Sequence, residues 1–180
     1  MTHAEPTPDL AARLLRELTE RRATLSVAES LTGGRISATL TSVPGASASF
    51  LGGIVSYSTH SKHLLLGVDA DLLADRGAVD PQVAVAMARG ARAALEADWA
   101  VAVTGVAGPE PQDGRSVGTV FVGFAAPDGR EWSRELDLTG NRREIREQTV
   151  HNALASLLEA LDWSPGNYAQ KSMHVRDGRD

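Results

Sequence analysis

Residues 24–34, TLSVAESLTGG, run from an apolar-alternating stretch through Glu29 and Ser30 into paired glycines, Gly33 and Gly34. The first five residues read as a strand, and GRISATLTSV at 34–43 reads as the helix that follows. The turn between them admits two readings. In one, Glu, Ser, Thr and Gly are ordinary turn formers, and Ser30 or Thr32 caps the helix. In the other, the turn exposes Ser30 at the carboxyl edge of a sheet, and the small residues let a ligand approach backbone N–H groups at a helix N-terminus.

On either side of this turn the apolar period switches repeatedly between helix and strand. Upstream, Pro8 begins a segment with Leu10, Leu14, Leu15 and Leu18 on one face. Downstream, FLGGIVSYS at 50–58 suits a second strand, and KHLLLGV at 62–68 leads into a short helical stretch around Asp71 to Ala74. Asp80-Pro81 then starts a helix, because Asp caps and Pro fits the first turn. Val83, Met87, Ala91 and Leu95 line one face of it, and its expected end is near Ala97. WAVAVT at 99–104 reads as a buried strand. A turn-rich loop follows, then TVFVGFAA and REWSRELDL, a hairpin joined by Pro127-Asp128-Gly129. A last helix carries Ile145, Leu154, Leu157, Leu158 and Leu161. One domain over 1–163 is expected, with a mobile polar tail at 164–180. This alternation predicts an α/β fold, a three-layer α/β/α sandwich around a mixed, mostly parallel sheet. In such sheets sites gather outside the strand carboxyl ends. AESLTGG, YSTHSK and TGVAGP each leave a strand, so the three turns are expected to meet at one pocket.

Composition narrows the function. The chain has 180 residues, 42% hydrophobic and 23% charged, which suits one domain with a full core. A formal charge of −5 without a Lys/Arg block argues against nucleic acid as a partner. Zero cysteines exclude disulfides and thiolate chemistry and fit a reducing compartment. MTHAEPTPDL lacks the features of a signal peptide, and no apolar run approaches the ~20 residues of a membrane span. A cytoplasmic protein with no membrane partner is expected. His60 and His63 have helical spacing but no third ligand at a useful interval, so no metal is expected. The glycine-rich turns lack the Gly-Lys-Ser/Thr ending of a phosphate loop.

Taken in order, AESLTGG, PGASASFLGGIVSYSTHSK, LGV, GAV, MARG, TGVAGP, VGTV and GNRREIR resemble the motif series of the CinA C-terminal domain family, also called nicotinamide-nucleotide amidases. The resemblance covers roughly Ala28 to Leu161. It implies a metal-independent amidase, without cofactor, that converts nicotinamide mononucleotide to nicotinic acid mononucleotide and ammonia. It also implies serine, tyrosine and lysine at the site, which map onto Ser30, Tyr57 and Lys62. The expected partner is thus a small pyridine nucleotide, and a homo-oligomer, a dimer, is the expected assembly.

Chemistry gives each residue a role. A serine hydroxyl needs a base to take its proton, and a lysine serves only if desolvation or a neighbouring cation lowers its pKa from about 10.4. Tyr57 and Lys62 leave the second strand together, so phenol and amine are expected to face Ser30; surface positions are the bland alternative for both. Glu29 hydrogen-bonds the substrate amide, orients Lys62 or accepts backbone donors at the turn, three roles left open. Gly33, Gly34, Gly105 and Gly108 are candidate oxyanion donors or plain turn glycines. Thr32 and Thr104 are candidate substrate contacts, each also able to cap its own loop. For the phosphate, Arg142 and Arg146 lie four apart on one helix face, where ion pairing with Glu144 and Glu147 is the alternative. Arg115 competes with them from the loop.

The chain departs from the family pattern in three places. Leu31 stands where the family commonly has Cys. EPQDGRSVG at 110–118 replaces a Gly-rich run ending Lys-Pro-Val-Gly, a departure that bears on substrate recognition more than on catalysis. A stand-alone module is expected, without the larger N-terminal domain of full-length family members. The altered loop also motivates a rival reading, a pyridine-nucleotide-binding module with lost or changed turnover.

Overall fold

The computed structural model describes residues 5–162, so the tail expected at 164–180 lies outside the described residues. Helix α1 (Thr7–Glu20) has Pro8 in its first turn and buries Leu10, Leu14, Leu15 and Leu18. Strand β1 (Leu25–Glu29) is buried along its whole length and leads through the opening turn into α2 (Arg35–Thr41). Strand β2 (Phe50–Val55), helices α3 (Thr59–Leu66), α4 (Ala70–Arg76) and α5 (Pro81–Ala94), and strand β3 (Trp99–Gly105) follow. Strands β4 (Thr119–Ala125) and β5 (Glu131–Asp137) form the expected hairpin before the long helix α6 (Arg142–Asp162).

The sheet order is β2-β1-β3-β4-β5. β1 pairs in parallel with both β2 and β3, whereas β3–β4 and β4–β5 pair antiparallel. Two neighbour pairings are therefore parallel and two antiparallel, yet every strand except β4 points the same way. The carboxyl ends of β1, β2 and β3 consequently share one edge of the sheet.

The two sheet faces differ in side-chain size. Val27, Val101, Val103, Val120, Val122 and Phe124 face a layer containing α1, α2 and α6. Fully burying each large apolar side chain in that layer is worth roughly 1.5–3 kcal/mol. The other face presents Ala28, Ala100, Ala102 and Ala125 to Leu66, Leu73, Val83 and Met87. Small residues let α5 lie almost on the strands: a Cβ at Gly123 would come 2.1 Å from the Ala84 carbonyl oxygen.

Three local boundaries differ from the sequence expectation. Residues 59–66 form a helix where only a link was expected, because Ser58 and Ser61 cap each other's backbone N–H groups reciprocally and Gly67 closes the far end in the left-handed region. That helix draws Tyr57 and Ser58 off β2, which ends at Val55. Helix α5 stops at Ala94, ahead of Glu96 at φ 51°.

Candidate active site

The turn after β1 is organised by a buried carboxylate. Glu29, fully buried, accepts the N–H groups of Gly34 and Ile36 on Oε2, and the N–H and hydroxyl of Ser37 on Oε1. A negative charge at these free N–H groups, at the positive end of α2, stabilises the helix start. Both oxygens are occupied, so Glu29 is the backbone acceptor among its three candidate roles, and its assignment as a substrate contact is corrected.

The glycines serve the same turn. Gly33 and Gly34 take φ values of 57° and 93°, which disfavour side chains. Gly33 N–H donates to the Ser30 carbonyl, and Gly34 N–H to Glu29. Their expected part as oxyanion donors is therefore corrected, since both donors already have acceptors.

Ser30, 8% exposed, stands just beyond the end of β1. Lys62, the fourth residue of α3 and only 1% exposed, donates from Nζ to Ser30 Oγ at 2.9 Å and to the Ser56 carbonyl at 2.8 Å. Burial lowers the Lys62 pKa from 10.5 to about 8, partly opposed by the negative charge of Asp113. A buried amine near neutrality and in contact with a hydroxyl is a base that can take the hydroxyl proton.

Tyr57 occupies a different position. It is 59% exposed, and its hydroxyl accepts from Arg142 Nη2 at 2.8 Å. Arg142 also donates from Nη1 to the Gly108 carbonyl at 2.6 Å, bridging two of the turns across the opening. The expectation that phenol and amine both face Ser30 is corrected to this extent: only Lys62 hydrogen-bonds the serine.

One cavity collects Ser30, Leu31, Tyr57, Thr59, Lys62, Thr104, Gly105, Val106, Ala107, Gly108 and Arg142, with Glu110 and Gln112 from the altered loop. All three turns contribute to it. Thr104 is tied back by donating its hydroxyl to the Ala78 carbonyl at 2.6 Å. Gly105 is glycine because a Cβ there would stand 2.7 Å from the Thr119 carbonyl oxygen.

Other candidates lie off the cavity lining. Thr32 is buried, and its carbonyl accepts from Arg146 Nη2 at 2.9 Å while Arg146 Nε donates to the Leu31 carbonyl at 2.8 Å. Arg115 places its guanidinium over the Phe121 ring, 3.9 Å from Asp80. Thr32, Arg115 and Arg146, expected as substrate contacts, thus stand outside the cavity lining, and the arginines are engaged by protein groups.

Sequence reasoning had Gly108 among its candidate oxyanion donors but missed the other backbone groups. Among the described residues, the N–H groups of Leu31, Ala107 and Gly108 have no protein acceptor, and all three residues line the cavity. Only the position of Leu31 directly after the serine pointed to such a role. Nor did the sequence indicate the Ser56 carbonyl or Asp113, whose Oδ2 accepts the N–H groups of Ala78 and Val79 and anchors the altered loop. Among the described residues no three His, Asp or Glu side chains group as metal ligands, and no helix is long and apolar enough to cross a membrane.

Comparison with known proteins finds similar chains and folds. The family model of the CinA C-terminal domain matches residues 7–161. A CinA-like protein of Frankia casuarinae is 53% identical over 150 residues, 83% of this chain and 34% of its own length. A putative competence-damage inducible protein of Halalkalibacterium halodurans is 40% identical over 152 residues, 84% of this chain and 36% of its own length. The chain thus spans about a third of the length of these curated relatives. Among solved structures, the competence/damage-inducible protein CihA from Agrobacterium tumefaciens is 38% identical with a TM-score of 0.83, covering 90% of this chain and 99% of that one. A CinA superfamily protein from Klebsiella pneumoniae is 34% identical with a TM-score of 0.84, covering 87% of this chain and 98% of that one.

Proposed function

This chain belongs to the CinA C-terminal domain family, and we propose that it is a serine–lysine amidohydrolase that converts nicotinamide mononucleotide to nicotinic acid mononucleotide and ammonia. The observation that carries this reading is the buried contact between Lys62 Nζ and Ser30 Oγ at 2.9 Å.

In the proposed reaction neutral Lys62 takes the Ser30 proton as Oγ bonds to the carboxamide carbon. The carbonyl oxygen becomes an oxyanion, for which the unpaired N–H groups of Leu31, Ala107 and Gly108 are the available donors. The carbon–nitrogen bond then breaks, and the Lys62 ammonium gives its proton to the departing nitrogen, which leaves as ammonia. Water attacks the resulting ester, Lys62 takes its proton and returns it to Ser30, and the acid product is released. The serine and lysine balance every proton, with no metal or cofactor as a participant.

Arg142 is the cation at the cavity mouth, held by Tyr57 and Gly108, and it is the proposed phosphate contact. Tyr57 then orients that arginine, a role at the rim in place of one facing the serine. The proposed setting is the cytoplasm. Incubating protein freed of metal with nicotinamide mononucleotide, and measuring ammonia and the acid, tests the reading. Equal amounts of both products support it; binding without either product supports a nucleotide-binding module instead.

A further inference from the structure

The turn that carries Ser30 is held from outside by α6. Arg146 donates from Nε to the Leu31 carbonyl at 2.8 Å and from Nη2 to the Thr32 carbonyl at 2.9 Å. Its guanidinium lies so close over the turn that a Cβ at Gly33 would stand 2.9 Å from Nη2. A peptide unit is planar and trans, so fixing a carbonyl in one direction fixes the next N–H in the opposite one. The Leu31 carbonyl, turned towards Arg146, therefore directs the Thr32 N–H away from α6. The Ser30 carbonyl, turned inward to accept from Gly33, likewise directs the Leu31 N–H out of the turn. Among the described residues neither N–H has a protein acceptor, and Leu31 lines the cavity beside Ser30.

The electrostatic setting of Arg146 argues for a specific need. Burial, and then the charges of Arg35 and Arg142, lower its pKa, opposed in part by Tyr57 and Glu29, and among the described residues no carboxylate lies within ion-pair distance of it. A guanidinium kept against like charges is maintained by what its forked donors hold, and a lysine ammonium lacks that planar fork.

From this geometry we infer that Arg146 is a positioning residue for the reaction: by clamping the carbonyls of Leu31 and Thr32 it fixes the two peptide planes after Leu31, and the Gly33 N–H so held binds the Ser30 carbonyl and thereby turns the Leu31 N–H towards the oxyanion. The inference rests on the amidase reading above. It assigns Arg146 to the chemical step and leaves phosphate recognition to Arg142.

A fluorophosphonate probe reads the same geometry without the natural substrate. Ser30 Oγ bonds to phosphorus, the phosphorus–fluorine bond breaks, fluoride leaves and the hydroxyl proton passes to Lys62, while the phosphoryl oxygen takes the oxyanion position. Arg146→Ala should slow Ser30 labelling, and lower kcat for nicotinamide mononucleotide, at least about tenfold, up to but not beyond the ~10²–10³ found when one oxyanion donor is deleted outright. KM and the labelling pH midpoint set by Lys62 should not move. Guanidinium ion at non-denaturing concentration should restore part of the rate, and Arg146→Lys should fall between the two. If Arg146→Ala does not fold, Arg146→Lys carries the comparison, with its labelling rate expected below wild type at unchanged KM.

Wild-type labelling and kcat in these variants would overturn the inference. So would a rise confined to KM for the mononucleotide and absent with nicotinamide riboside, which would make Arg146 a phosphate contact. Should wild-type Ser30 be labelled but nicotinamide mononucleotide not be hydrolysed, the substrate reading falls while the labelling rates still decide the role of Arg146. A wild-type serine that takes no label removes both readings.

Discussion

Lys62 Nζ and Ser30 Oγ lie 2.9 Å apart although they are 32 residues apart in sequence. They meet because β1 and β2 are adjacent and parallel, so the turn after β1 and the helix after β2 open on the same sheet edge. The second Nζ hydrogen bond, to the Ser56 carbonyl, fixes the amine at the end of that strand and leaves its approach to the serine defined.

A base with a pKa of about 8 must lose its proton before it can accept one. The rate of nicotinamide mononucleotide hydrolysis should therefore rise tenfold per pH unit below 8 and level off above it. Lys62→Ala should abolish this limb and suppress kcat far more than it changes KM. If KM alone rises, Lys62 is a substrate contact.

The same burial affects stability. The folded pKa of Lys62 is lowered, so between about 8 and 10.5 the unfolded chain binds more protons than the folded one, and stability rises with pH through that window. Below it, holding the buried charge costs roughly 3 kcal/mol at 1.36 kcal/mol per pKa unit. In denaturant titrations at pH 7 and pH 10, wild type should gain stability relative to Lys62→Met on going to the higher pH. A constant difference between the two proteins would contradict this.

The proposed phosphate contact sets Arg142 apart from Arg115. Arg142→Ala should weaken nicotinamide mononucleotide by roughly 1.5–3 kcal/mol, the range for hydrogen bonds to charged groups, and barely affect the riboside. Arg115→Ala should affect both equally and slightly, because its guanidinium is engaged by Phe121 and Asp80. Steady-state kinetics of both variants on both substrates checks the assignment.

Glu29 should act on stability. Glu29→Ala leaves the N–H groups of Gly34, Ile36 and Ser37 without their acceptor, and each buried donor so orphaned costs about 1–3 kcal/mol. Thermal unfolding should show a large loss. A variant of wild-type stability with raised KM would restore Glu29 to substrate binding.

How far the sequence revealed this arrangement varies by feature. The strands and the long helices are carried by apolar periodicity, and so they were legible: Leu10, Leu14, Leu15 and Leu18 fall on one buried face as spaced. Helix α3 was not, because its start signal is a pair of serines that also suits a turn, and its apolar face is brief. Ordered motifs brought Ser30, Lys62 and Thr104 to one cavity. Glu29, Gly33, Gly34 and Arg146 have backbone or neighbouring partners that the sequence did not show, for a shared reason: residue type shows that a group can bond a ligand but not that the protein has already engaged it. Donors belonging to the main chain, such as the Leu31 N–H, leave no side-chain signature.

The most direct test of the central claim is turnover of nicotinamide mononucleotide by Ser30→Ala, with ligand binding measured on the same preparation. Losing the nucleophile while keeping the fold and the rim should lower kcat by orders of magnitude and leave binding close to wild type. Near-wild-type release of ammonia from Ser30→Ala would contradict a serine nucleophile.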